Sequence, residues 1–245
     1  MKLRLKNALI NAIAKAGYIV QRHPDAKPAP YAEATPEEMT LVKKYRPYTM
    51  TGSQRQWTLL KALHYVEANE IPGDIVECGV WRGGNMMMLA EASQGSDRKL
   101  WLYDTFEGMP EASAFDVNVL GQTGEERRSA DSQWCLASRQ EVEANFNRYG
   151  LLNDRLVFRQ GMVEDTLKNE PLPERIAILR LDTDFYESTK IELELLYPLL
   201  QPGGVLIIDD YGLWKGSKKA VDEYFGDRKP LLVPVDYTAR YAIKV

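Results

Sequence analysis

From residue 74 onward the chain alternates short apolar runs with stretches of helical periodicity. The runs are DIVECGV (74–80), KLWLYDT (99–105), RLVFRQG (155–161), IAILRLD (176–182) and GGVLIIDD (203–210). They are continuously apolar rather than alternating, which predicts strands buried on both faces and therefore a parallel sheet. Helical patterns at 84–93, 139–149 and 187–200, a short turn at 162–168 and a final helix at 216–225 fall between and after them. Two further strands, LLVPVD (231–236) and RYAIKV (240–245), are separated by three residues, which predicts an antiparallel hairpin. The expected fold is a single doubly wound α/β domain with a mainly parallel sheet, a C-terminal antiparallel hairpin and added N-terminal helices.

The N-terminal part has a different texture. Leu5, Leu9, Ile13 and Ala16 recur at helical spacing, interrupted by Asn7, Asn11 and Lys15, so the first twenty residues predict an amphipathic helix and not a secretory signal. Such a helix packs on its own domain or on a second subunit, giving a homodimer; an anionic membrane surface is the alternative. The segment HPDAKPAPYAEATPEEM (23–39) is a linker ending in a helix start, with Thr35 as N-cap, Pro36 in the first turn and Glu38 completing a capping box. A second box, Ser53 to Gln56, predicts a helix through Trp57, Leu60, Leu63 and Tyr65 that stops before Ile71-Pro72-Gly73. Residues 1–47 thus form a helical extension and linker, and 48–245 the main domain. The polar, poorly periodic stretch 107–138 is long for a loop, which points to a lid.

Composition narrows the partners. The 245 residues are 44% hydrophobic and 10% aromatic, enough for a sizeable core, and the net charge of −4 supplies no basic field for nucleic acid. No apolar run reaches the roughly 18 to 20 residues of a membrane span. The two cysteines, Cys78 and Cys135, form no CxxC pattern, and Cys78 falls in an apolar strand, so a reducing cytoplasm is expected.

In doubly wound sheets ligands bind beyond the carboxyl ends of the strands, and here four strand ends carry polar residues. The first reads Glu77-Cys78-Gly79-Val80-Trp81-Arg82-Gly83-Gly84. Its glycines permit a tight turn and close ligand approach, although any βα turn benefits from glycine. Glu77 suits an ammonium or sulfonium ligand better than a pyrophosphate, and the spacing fails G-x-G-x-x-G. Asp104 ends the second strand, where an acid can accept both hydroxyls of a ribose or cap the following turn. Asp182 and Asp184 end one strand and Asp209 and Asp210 the next. Two residues apart, Asp182 and Asp184 share a face while the strand lasts. Four gathered carboxylates repel unless a cation or proton sits among them, and oxygen-only ligands suit Mg²⁺; single helix or turn caps are the competing role.

At these residues the chain resembles the macrocin O-methyltransferase family, the antibiotic-sugar methyltransferases of the tylosin, mycinamicin and novobiocin type. The resemblance is carried by Tyr48-Thr49-Met50-Thr51, Gly73 through Gly84, Asp104-Thr105-Phe106-Glu107-Gly108-Met109-Pro110, Asn145-Phe146 with Tyr149-Gly150-Leu151-Leu152, Leu179 through Asp184 with Tyr186-Glu187-Ser188-Thr189, Asp209-Asp210-Tyr211 and Lys219 through Tyr224. It implies a class I S-adenosylmethionine-dependent methyltransferase fold. It also implies a cofactor site, which includes Trp81, in which Glu77 and Gly79 lie at the methionine end and Asp104 with Thr105 at the ribose. Thr49 and Met50 would close over the cofactor, with Gly161, Met162 and Asp165 near the adenine. Asp182, Asp209 and Asp210 would hold Mg²⁺ and Asp184 would be the general base for a sugar hydroxyl. Residues 111–138 depart from the family, so the acceptor does not follow from it. A catechol-type diol methyltransferase, which usually employs a lysine base, and an NAD-binding or non-catalytic α/β domain are the alternatives.

Overall fold

The computed structural model describes residues 31 and 33–245, essentially the second of the two units into which the chain divides, Ala34–Val245. The predicted N-terminal amphipathic helix lies outside the described residues. The elements are α1 (Pro36–Tyr45), α2 (Ser53–Ala68), β1 (Asp74–Cys78), α3 (Gly84–Ala92), β2 (Leu100–Asp104), α4 (Gly124–Ala130), α5 (Arg139–Arg148), β3 (Leu156–Gln160), α6 (Val163–Asn169), β4 (Ile176–Leu181), α7 (Tyr186–Leu195), β5 (Leu200–Ile208), α8 (Lys215–Phe225), β6 (Val233–Pro234) and β7 (Arg240–Ile243). The seven strands form one sheet in the order β3-β2-β1-β4-β5-β7-β6. β1 to β5 run parallel, whereas β7 is antiparallel to both β5 and β6. The continuous apolar runs and the terminal hairpin therefore fold as their pattern predicts. Among the described residues no helix is long and apolar enough to cross a membrane.

Each sheet face has its own core, because alternate residues of a strand point to opposite sides. Ile75 of β1 and Ile178 of β4 join Leu59, Leu63, Met86 and Phe146 on one face. Val76 and Cys78, with Leu179 and Leu181, join Leu167, Leu193 and Val221 on the other. Val42 and Tyr45 of α1 are fully buried in the first core, so the main unit extends N-terminal of residue 48, the boundary expected from the sequence. The capping box at Thr35 and Glu38 is formed. The one expected at Ser53 is not: Gly52 occupies the N-cap and Ser53 is the first helical residue.

The stretch 107–138 is more structured than its weak periodicity suggests. It contains α4, started by a capping box between Thr123 and Glu126, and short bridges pair Val117 with Thr123 and Asn118 with Trp214. Asp116, almost fully buried, accepts hydrogen bonds from the Ser113 N–H (2.6 Å) and hydroxyl (2.6 Å) and from the Tyr186 N–H at the start of α7 (2.7 Å). Trp134 packs against Phe185 and stacks on Trp214, with ring centroids 6.0 and 5.9 Å away. This small aromatic core fixes the lid to the strand ends.

Candidate active site

The carboxyl ends of the parallel strands open into a cavity of about 440 Å³. Parallel register decides what meets there. Glu77 on β1 pairs with Arg180 on β4, and Leu181 on β4 pairs with Ile208 on β5, so Asp182 and Asp209 leave neighbouring strands side by side. Asp184 does not continue a strand. It adopts φ of +66°, and the Phe185 N–H donates to the Thr183 carbonyl at 2.7 Å, a three-residue turn. That turn brings the Asp184 carboxylate within 4.8 Å of those of Asp182 and Asp210. The expectation of a shared strand face for Asp182 and Asp184 therefore fails at the backbone, yet the two carboxylates converge.

Arg180 is the central cation of the site. Its guanidinium is 2% exposed and donates to Glu77 (2.5 Å), Asp182 (2.7 Å), Asp209 (2.6 Å) and the Thr51 hydroxyl (2.9 Å). Arg55 from α2 pairs with the second oxygen of Asp209 and with Asp236 (3.1 Å). Five carboxyl groups, Glu77, Asp182, Asp184, Asp209 and Asp210, thus surround two guanidinium groups. Burial would push Asp209 up, but its two arginines hold it below the usual carboxylate range. Burial pushes Asp210 well above that range, and the negative charges of Asp184 and Asp209 push it further. Burial likewise raises Asp182 well above the range against the pull of Arg180. Asp184 is pushed up to about 7 by burial and by the charges of Asp182 and Asp209. The Asp184 and Asp210 carboxyls lie close together, so the negative charge of one raises the other.

These residues fit a divalent cation. Three carboxylates converge, Asp210 Oδ2 is buried without a hydrogen-bond partner, and the five carboxyls outnumber the arginines near them, Arg55, Arg180 and Arg127 of the cavity wall. Asp209 stands apart from the convergent three, since both its oxygens already face arginines.

The cofactor side is built around the turn after β1. Gly79 has φ of +82°, and an added Cβ there would collide with the Asp182 carbonyl. Glu77 accepts from the Asn85 amide (3.0 Å) as well as from Arg180, while its second oxygen, Oε2, is buried without a partner. Such an oxygen suits an ammonium group. Asp104 accepts from the Val80 (2.8 Å), Trp81 (3.0 Å) and Phe106 (2.8 Å) N–H groups. It therefore organises the turn, the capping role weighed above, while still lining the cavity. Gly79, Trp81, Thr105, Gly161, Met162 and Met50 also line the cavity. Three expected residues do not, and the first is Glu77, which is buried behind the wall. Thr49 is buried and its hydroxyl accepts from the Thr51 N–H (3.0 Å), so the wall there is made by Met50 and Thr51. Asp165 is exposed outside the wall, and its neighbour Glu164 takes that position.

Sequence reasoning missed Arg55, Arg180 and the aromatic pair Trp134 and Trp214. Arg180 carried a usable signal: a charge inside the apolar run IAILRLD must be paired when its strand is buried.

Comparison with known proteins agrees with this geometry. Residues 7–242 match the macrocin-O-methyltransferase (TylF) family. The chain is 38% identical over 230 residues to the 8-demethyl-8-(2,3-dimethoxy-alpha-L-rhamnosyl)-tetracenomycin-C 4'-O-methyltransferase of Streptomyces olivaceus, covering 92% of this chain and 83% of that protein. It is 37% identical to the demethyldecarbamoylnovobiocin O-methyltransferase of Streptomyces niveus over 72% of this chain and 67% of the relative. Among solved structures, the O-methyltransferase NovP superposes with a TM-score of 0.71 at 36% identity, covering 81% of this chain and 82% of NovP. The Podospora anserina methyltransferase PaMTH1, solved with S-adenosylhomocysteine (SAH), shares the fold at 16% identity, with a TM-score of 0.53 over 94% of this chain and 99% of that one. The chain therefore belongs to the macrocin O-methyltransferase family and is an S-adenosylmethionine-dependent O-methyltransferase of the class I fold.

Proposed function

We propose that this enzyme methylates a hydroxyl of a sugar, carried on a glycoside or a nucleotide and belonging to natural-product or surface-glycan biosynthesis, with the help of Mg²⁺. The observation that carries this reading is the convergence of Asp182, Asp184 and Asp210 at the cavity floor, where Asp184 has a carboxyl poised near neutrality. The relatives in Streptomyces are named for methylation of glycosylated antibiotics, which supports a sugar acceptor here.

S-adenosylmethionine supplies the methyl group, and a bound dication lowers the pKa of an alcohol and orients it. The chain's own residues do the rest. Asp182, Asp209 and Asp210 are assigned to the cation, Asp209 through the lone pairs that its arginine contacts leave. Asp184 takes the hydroxyl proton; with its carboxyl near neutrality it is matched to proton transfer around pH 7. Glu77 offers its unpartnered oxygen to the cofactor's ammonium group. Met50 and Thr51 on one side, with Trp134 and Trp214 on the other, confine the reacting groups to one line and exclude water. Among the described residues no lysine lines the cavity, which favours Asp184 over the lysine base of a catechol-type enzyme.

The test is methyl transfer from labelled S-adenosylmethionine to a panel of deoxysugar glycosides and nucleotide sugars, with Mg²⁺ or EDTA. Asp184→Asn is expected to abolish turnover while Mg²⁺ and SAH still bind. If Asp184→Asn loses the metal and Asp209→Asn keeps it, the two residues exchange roles. Turnover undiminished by EDTA removes the metal from the reading. A dimer is the expected assembly, and light scattering that returns the monomer mass overturns it.

A further inference from the structure

Outside the cavity, the second sheet face carries a buried acid that the chemistry does not use. The buried residues of α7 and the residue after it form one stripe, Thr189, Glu192, Leu193 and Leu196, so helix phase places Glu192 in the core. It is 0% exposed, and among the described residues no arginine, lysine or histidine pairs with it. Its Oε1 accepts the Thr183 hydroxyl at 3.0 Å, and its Oε2 is buried without a hydrogen-bond partner. The Cys78 thiol at the end of β1 lies beside the same carboxyl, and the charges that act on it are those of two further acids, Glu164 and Asp182. Burial, more than those charges, pushes the carboxyl well above its ordinary range.

A buried carboxyl without a cation costs stability, and an apolar side chain of the same size would sit there at lower cost. What Glu192 adds is its hydrogen bond, and that bond reaches the segment on which the chemistry depends. Thr183 stands between Asp182 and Asp184, and its carbonyl accepts the Phe185 N–H in the turn where Asp184 takes φ of +66°. The start of that segment is tied to β1, since the Cys78 carbonyl accepts from the Asp182 N–H (2.9 Å). Asp182 is thus fixed from β1 and Thr183 from α7. A residue other than glycine at positive φ persists where its surroundings over-determine it, and the Thr183–Glu192 hydrogen bond supplies part of that constraint.

We propose that Glu192 is a positioning residue, which through Thr183 holds the turn that aims the Asp182 and Asp184 carboxylates into the cavity. Glu192 itself does not line the cavity. The inference rests on the assignment of Asp182 to the cation and of Asp184 to the proton.

The experiment compares Glu192→Met, Glu192→Gln and Thr183→Val with the wild-type chain. The readouts are calorimetry with Mg²⁺ and with SAH, urea unfolding, and methyl transfer to any member of the sugar panel that the wild type methylates. Glu192→Met, similar in size but without the acceptor, is expected to lower kcat and Mg²⁺ affinity about ten- to a hundredfold. Its KM for S-adenosylmethionine, SAH affinity and urea midpoint should stay at or above wild-type performance. Glu192→Gln keeps an acceptor oxygen and should restore most of kcat. Thr183→Val removes the donor of the same bond, so it should reproduce the methionine variant, and the two changes together should be no worse than either alone. Thr183→Val carries the test should the methionine variant fail to fold. Wild-type kcat and Mg²⁺ affinity in Glu192→Met or Thr183→Val overturn the proposal. So does a loss of kcat matched by equal loss of SAH binding and stability, or a double variant in which the two losses multiply. A wild-type chain that neither binds Mg²⁺ nor methylates the panel overturns the underlying assignment and the inference with it, a result visible before any variant is made.

Discussion

In the proposed Mg²⁺ site protons and the dication would compete for the same carboxylates, so Mg²⁺ affinity should depend steeply on pH. Burial pushes Asp184 up to about 7 and holds Asp182 and Asp210 well above their ordinary range, so the metal-free cluster keeps a proton near neutrality. Entry of a cation must expel it. Each displaced proton weakens apparent affinity about tenfold per pH unit below the group's pKa. Lowering the pH from 7 to 6 should therefore weaken Mg²⁺ binding about fivefold through Asp184 alone, and more if Asp182 or Asp210 also gives up a proton. Calorimetry between pH 6 and 8, repeated in two buffers of different ionisation enthalpy, gives both the affinity and the number of protons released. Flat affinity from pH 6 to 7 with no proton release would refute the argument.

Stability follows with a definite sign. A raised folded-state pKa means that the metal-free native chain binds more protons than the unfolded chain between roughly pH 4 and 7, so its stability falls as pH rises through that window. Asp209, depressed by Arg180 and Arg55, works the other way, but its stabilisation is lost only as pH falls below the ordinary aspartate value. Mg²⁺ at a hundredfold excess over its Kd should restore about 2.7 kcal/mol.

Three further outcomes are expected. Arg180→Leu leaves Glu77, Asp182 and Asp209 without their shared buried cation; urea unfolding should show a loss of about 3–5 kcal/mol, and a loss below about 1 kcal/mol would mean the carboxyls neutralise themselves with protons. Gly79→Ala forces a Cβ into the Asp182 carbonyl at positive φ, so SAH affinity and turnover should both collapse; ordinary binding would show that the turn can move. Thr123→Ala removes the capping box of α4 at a cost of about 1 kcal/mol to that helix, which should raise the acceptor KM and leave SAH binding unchanged, while an effect on SAH alone would place α4 on the cofactor side.

Much of this architecture was legible because burial on both faces leaves a plain mark: five apolar runs became five parallel strands, and the polar residues that interrupt their ends became the cavity. Asp182, Asp184, Asp209 and Asp210 could be singled out as a group because carboxylates at adjacent strand ends demand a counter-charge, although the sequence could not show that Asp209 stands apart with its arginines. What escaped depended on contacts distant in sequence. Arg55 reaches Asp209 across 154 positions, and no local pattern announces that. Asp184 reaches the cluster through a turn at positive φ, not through strand alternation. The lid helix α4 is short and polar and is held by Asp116 and the aromatic core, so its sequence has little periodicity to show. Asp165 and Glu164 are adjacent, and only the helix phase decides which one enters the wall.

The way the lid is fastened bears on how this enzyme could be given a new acceptor. Phe185 directly follows Asp184, and Trp214 lies four residues beyond Asp210, so both rings that grip Trp134 are carried by the segments that hold the clustered carboxylates. The lid is thus a module with a defined seam. Exchanging loop sequence between residues 117 and 133 while keeping Asp116, Trp134, Phe185 and Trp214 would change the acceptor wall around a preserved reaction centre. An exchange that cut through Trp134 would carry its disturbance into the chemistry.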